Sequence, residues 1–168
     1  ALEYNGFDPD YQMFNLKIVE APKPNFILNN ITIDDDQKGN SWGNSDGIID
    51  KGEAIEITIE IKNNGSGYAE DVSLSIDVDN IDGLFIPEGQ NMHSSVNKLK
   101  PNGTLESKFY FIINKRISND TLIPININIR ERSSIFNKYF FQFIPIASKY
   151  FFNNNSYIAP IFLTLTTD

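Results

Sequence analysis

Residues 34–62, DDDQKGNSWGNSDGIIDKGEAIEITIEIK, run an acidic, glycine-rich loop straight into an isoleucine strand. Counted from Gly47 as a sharp turn, Asn44 and Asp46 precede it and Asp50 and Glu53 follow. With Trp42 as the first position of a twelve-position calcium loop, oxygen donors fall where such a loop needs them. Asn44 is third, Asp46 fifth, Gly47 sixth, Ile48 seventh through its carbonyl, Asp50 ninth and Glu53 twelfth as a bidentate ligand. Ile49, at the eighth, is apolar and suited to plug into a core. Hard oxygen ligands with no His or Cys nearby favour calcium (Ca2+) over zinc or copper.

The first position departs from this pattern, because Trp42 has no side-chain oxygen. The run Asp34, Asp35, Asp36 lies upstream of a Gly39-Asn40 turn that can fold it back, and Asp36 or Asp34 is the expected donor. The competing reading is a solvated acidic turn, but so many carboxylates in one loop repel each other unless a cation joins them. An EF-hand sensor flanks its loop with helices. Here the flanks read as strands, so the expected ion is structural.

The elements that must hold this loop are strands. Ile55, Ile57, Ile59 and Ile61 alternate with Glu56, Thr58, Glu60 and Lys62, the period of a strand with one buried face. Phe26–Ile33 reads as the strand before the loop. Asn63–Gly67 turns the chain, and Val72, Leu74, Ile76 and Val78 answer as a hairpin or cross-sandwich partner. Residues 80–91 read as loop and Met92–Leu99 as a weak strand. Leu105–Ile113, Ile123–Ile129 and the aromatic-rich Ile135–Ile146 read as further strands, and Ile158–Leu165, with Pro160, as an edge strand. No useful helical periodicity appears. Short strands separated by turns predict an all-β, antiparallel β-sandwich, with a barrel as the alternative closure. Residues 1–24 are expected to be an N-terminal arm or linker, with a possible short strand at Met13–Glu20 before Pro22 and Pro24. Residues 25–168 are expected to be the sandwich.

A net charge of −8 and a pI near 4.6 argue against nucleic acid and anionic membrane surfaces, which need a basic patch. No apolar stretch is long enough for a membrane helix. Nothing at the start resembles a signal peptide, and Ala1 without a methionine suggests a mature or excised piece of a longer chain. The absence of cysteine removes disulfides and thiol catalysis. Asn-x-Ser/Thr matches such as Asn64–Ser66 and Asn102–Thr104 are expected by chance in so asparagine-rich a chain.

His93 is the single histidine, and adjacent Ser94 would point to the opposite face of a strand, so no Ser-His-Asp catalysis is expected. Carboxylates are plentiful but fall in the loop or on solvent faces, which argues against a glycosidase pair. Trp42, the run Tyr139, Phe140, Phe141, Phe143 and the pair Phe151, Phe152 could stack sugars, or could cover a neighbouring domain or the N-terminal arm. Consecutive aromatics put at least one of Phe140 and Phe141 outside the core.

The segments DGIIDKGE (Asp46–Glu53), EITIEIKNNGSGYAEDVSLSI (Glu56–Ile76) and VNKLKPNGTLESKFYFII (Val96–Ile113) together resemble the CARDB type of immunoglobulin-like module, the cell-adhesion-related domain found in bacteria. The resemblance covers roughly residues 26–146, and Lys51 stands where such modules usually carry proline before the Gly-Glu pair. It implies an immunoglobulin-like sandwich serving as a non-catalytic accessory domain of a secreted or cell-surface bacterial protein, often appended to a hydrolase. The expected function is therefore a calcium-stabilised accessory or adhesion module contacting neighbouring domains of its chain or another protein. A carbohydrate-binding module using exposed aromatics is the alternative.

Overall fold

A computed structural model describes residues 17–118 and 121–146 and the backbone of 163–164. The described residues contain no helix. Their strands are β1 (Phe26–Asp34), β2 (Ala54–Asn63), β3 (Ala69–Val78), β4 (Leu84–Phe85), β5 (His93–Leu99), β6 (Thr104–Ile113), β7 (Leu122–Arg130), β8 (Lys138–Pro145) and β9 (Leu163–Thr164). They form two antiparallel sheets, ordered β1-β2-β6-β4 and β5-β3-β7-β8-β9. The chain is a β-sandwich.

Strand period creates the core. Ile55, Ile57, Ile59 and Ile61 are fully buried, and Ile55 and Ile57 lie directly opposite Phe111 and Phe109 of β6. Val72, Leu74, Ile76 and Val78 of β3 and Ile123, Ile125, Ile127 and Ile129 of β7 supply the other sheet's inner face. Each such side chain removed from water contributes about 1.5–3 kcal/mol. Ser107 interrupts this apolar surface: it is buried opposite Ile59, and its hydroxyl has no hydrogen-bond partner. A buried polar group left unpaired costs about 1–3 kcal/mol, so Ser107→Ala should raise the urea unfolding midpoint. A lowered midpoint would show that the hydroxyl is satisfied.

β2 and β3 belong to different sheets, so the Asn63–Gly67 turn carries the chain across the sandwich. Asn63 holds that corner. Fully buried, it accepts the Asn25 and Gly65 N–H groups at Oδ1, both at 3.1 Å. Its Nδ2 donates to the Gly67 carbonyl at 2.8 Å and the Leu99 carbonyl at 3.3 Å. The start of β1, the end of β2 and the end of β5 are thereby tied to one amide. Residues 22–25 lie along the same turn: Asn64 N–H donates to Asn25 O at 2.7 Å and Gly67 N–H to Lys23 O at 2.9 Å. The approach is so close that a Cβ on Gly65 would stand 2.3 Å from Lys23 O, and one on Gly67 2.5 Å from Pro22 O. The stretch read as linker is thus docked where it meets the sandwich, and Pro24 is buried.

Two expectations about elements change. The two-residue β4 pairs with β6 inside a segment read as loop, a pairing too short to leave an alternation in sequence. Lys17–Glu20, the described part of the Met13–Glu20 segment, is exposed and forms no strand. Of the Ile158–Leu165 segment, Leu163–Thr164 is described and pairs with β8 at the sheet edge. Residues 1–16 lie outside the described residues.

Candidate functional site

The acidic loop is the connection between β1 and β2, and strands flank it on both sides. Gly47 turns the chain at φ 73°, in the left-handed region that glycine enters without strain. Ile49 is buried in the core at 1 % exposure, as its place in the loop predicts. The loop is therefore plugged at its eighth position and bent at its sixth.

Spacing assigns the missing first-position oxygen to Asp34 or Asp36; in the structure Asp35, not these two, turns its carboxylate into the loop. Asp35 is 3 % exposed, and its carboxylate accepts the N–H groups of Asp46 at 3.1 Å and Gly47 at 3.2 Å. Asp34 lies opposite Glu56 on the outward face of the sheet, and its Oδ1 accepts Asp36 N–H and the Ser41 hydroxyl. Asp36 accepts Lys38 N–H and the Ser41 hydroxyl and pairs with Lys38 Nζ at 3.4 Å. These contacts, led by the Lys38 amide, hold its carboxyl below the usual range. The cause of the assignment is register: an irregularity between Leu28 and Asn30 resets the alternation, so that Ile31 and Ile33 pack on the core and Asp35 follows them inward.

Glu53 closes the loop from its other end. At 7 % exposure, its two oxygens accept Asn44 N–H at 3.1 Å and Asp50 N–H at 3.0 Å. Gly43 lets the two buried carboxylates approach, since a Cβ there would be 2.8 Å from Glu53 Oε1 and 2.9 Å from Asp35 Cβ. Asn44 Nδ2 donates to Asp50 Oδ2 at 3.2 Å, linking the third and ninth positions. Asp46 is exposed and turns back on its own loop, its Oδ1 accepting Ile48 N–H at 2.9 Å. Of the proposed ligands, then, Asn44, Asp50 and Glu53 are linked by hydrogen bonds, largely through main-chain N–H groups, and Glu53 feels the charge of Asp35. Asp34 and Asp36 are not among them, and Asp46 and Ile48 form the turn.

The donor set is all oxygen and suits a hard cation. Among the described residues, however, no three acidic or histidine side chains converge on one point. The inward oxygens are met by the loop's own amides. This arrangement shifts Glu53: burial pushes its carboxyl above the usual range, and the charges of Asp50 and Asp35 add to that against the two amide bonds. A raised carboxyl contributes stability below the usual carboxylate range and loses it as pH climbs through the folded value. In EDTA, the stability advantage of the native protein over Glu53→Gln should therefore shrink as pH rises above about 4, the ordinary glutamate value. An advantage that grows with pH would mean that the carboxylate is net stabilised by its surroundings.

The contrasting case is Glu131, which the sequence pattern did not mark. Burial pushes it up, but bonds from the Ser133 hydroxyl and from the Ser133 and Phe136 amides outweigh this and bring its carboxyl down. It is a fully served turn cap between β7 and β8, whereas Glu53 stands beside two like charges.

The other candidates separate by face. His93 is exposed on β5 opposite Ser75. Phe140 packs against the core, while Phe141 stacks edge-on to Phe143 with centroids 4.6 Å apart, so the pair divides between faces as the alternation requires. Tyr139 and Phe143 are exposed. Phe151 and Phe152 lie outside the described residues. No protein-family model and no curated protein matches the chain.

Proposed function

We propose that this chain is a non-catalytic β-sandwich accessory module, immunoglobulin-like in the manner of the CARDB modules its motifs resemble, whose β1–β2 loop binds calcium. The observation that carries the reading is the juxtaposition of Asp35, Glu53 and Asp50 at one loop, where the charges of Asp50 and Asp35 add to the burial that raises the Glu53 carboxyl. Asp35, Asp50 and Glu53, with the amide oxygen of Asn44, would hold the ion. Calcium would supply the positive charge that offsets their mutual repulsion, and it would act on the scaffold and not on a substrate. Because amides already order the loop, the ion adds to a formed structure.

Calcium sites of modest affinity fill where the ion is millimolar, which favours a secreted or cell-surface setting. There the module would mediate contacts with neighbouring domains or another protein. The outward stripe on β8, where exposed Tyr139 and Phe143 flank a half-buried Phe141, supports that role, since exposed aromatic surface marks interfaces.

With a dissociation constant of ~10⁻⁴ M and ~1 mM calcium, mass action adds about 1.4 kcal/mol. For a chain of this length that raises the melting midpoint by roughly 3–6 °C. Thermal melts in calcium and in EDTA check this, and superimposable curves would remove the ion from the account.

A further inference from the structure

The outward face of the four-stranded sheet carries an apolar row that the core does not use. Trp42 bridges to Ala54, Ala54 lies opposite Ile112, and Ile112 lies opposite Phe85. Directly paired residues share a face, so these four side chains form one line across the sheet. Their sequence neighbours Ser41, Glu53, Ile55, Phe111, Ile113 and Leu84 are buried on the other side. Trp42 and Phe85 are each 60 % exposed and Ile112 41 %. The line spans three interstrand steps of ~4.8 Å, about 14 Å in all, with a ring at each end and lower side chains between.

The next row along the strands is polar. Glu56 and Tyr110 face each other there. Glu56 accepts Asn40 Nδ2 at 3.3 Å and pairs with Lys108 Nζ at 3.5 Å. That border presents donors and acceptors: Asp34 lies on the far side of Glu56 in the same row, and Lys108 offsets one of the two carboxylates. The chain's net charge of −8 repels acidic polymers. Rings that can stack on an apolar ligand face, beside carboxylate, amide and ammonium groups that can bind hydroxyls and whose net negative charge disfavours an acidic polymer, describe a surface for a neutral polyhydroxyl chain.

We infer that the row Trp42–Ala54–Ile112–Phe85 binds a neutral polysaccharide along its length, with Glu56, Asn40 and Lys108 bonding its hydroxyls. The site lies on the sheet opposite the Tyr139–Phe143 stripe and does not depend on calcium occupying the loop.

The test is affinity electrophoresis of the intact chain through gels containing β-glucan, xylan, mannan or glycol chitin, with alginate as an acidic polymer, in calcium and in EDTA. At least one neutral polymer should retard the chain, and alginate should not. Trp42→Ala and Phe85→Ala should each weaken retardation at least tenfold while melting cooperatively, and Tyr139→Ala should leave it intact. The inference is overturned if no neutral polymer retards the chain or if retardation survives both ring deletions. It is equally overturned if sedimentation shows that the row instead joins two copies of the chain, with Trp42→Ala producing the monomer. Loss of the calcium-dependent melting shift with glycan binding intact would reject the calcium reading alone.

Discussion

Asn63→Ala is expected to lower stability by about 3–5 kcal/mol, the largest effect of any single polar substitution considered for this sandwich. The side chain makes four hydrogen bonds in a fully buried corner. Deleting it leaves two amides and two carbonyls without that partner where water has little access, and each such group costs about 1–3 kcal/mol before relaxation. Asn63→Asp is expected to be no milder. It keeps the acceptor oxygen that takes the Asn25 and Gly65 N–H groups but turns a carboxylate oxygen toward the Gly67 and Leu99 carbonyls. Asn64→Ala, one residue on, should shift stability by no more than about 0.5 kcal/mol, because Asn64 is exposed and contributes its backbone N–H to Asn25. Urea unfolding of the three variants checks this. Equal midpoints for Asn63→Ala and Asn64→Ala would dismiss the corner as a determinant of the fold.

Asp35→Ala should cost about 2–3 kcal/mol in EDTA, the sum of two charge-assisted bonds to Asp46 and Gly47 less the relief of repulsion from Glu53. Asp36→Ala should change the midpoint little, because that carboxylate serves an exposed turn. The two substitutions are chemically identical and adjacent, so their difference isolates which face each residue takes. In calcium the contrast should widen: Asp36→Ala retains the ion's stabilising increment and Asp35→Ala loses it. Equal effects from the two would mean that the inward position of Asp35 contributes nothing.

The strands and the buried isoleucine faces were legible because a strand with one face in the core repeats every two residues, and Ile55–Ile61 and Ile123–Ile129 do so without a break. The loop's turn at Gly47 and plug at Ile49 followed from spacing for the same reason: both are local. Asp35 did not, because a turn at Gly39-Asn40 brings all three consecutive aspartates near the loop without separating them, and the face each one takes depends on the irregularity at Leu28–Asn30. Extending the inward pair Ile31 and Ile33 by two residues would have found it. Asn63 was legible as part of a turn but not as the corner's hub, since its partners at Asn25 and Leu99 lie 38 and 36 residues away. The row Trp42–Ala54–Ile112–Phe85 depends on strand register across four segments, and Phe85 sits on a strand of two residues that leaves no periodic trace. The segments that carry the CARDB resemblance are short turn-and-strand pieces, and a sandwich scaffold does not by itself name a ligand.

The central claim is that the β1–β2 loop is pinned from within by Asp35 and Glu53 and offers their cluster to calcium. An amide-resolved NMR titration with calcium tests it most directly. The N–H signals of Asn44, Asp46, Gly47 and Asp50 should be protected from exchange before any calcium is added, and should then shift together with a sub-millimolar midpoint while the amides of β7 stay still. Fast exchange at those four positions, or signals that do not move up to 10 mM calcium, roughly a hundredfold above the affinity proposed, would contradict it.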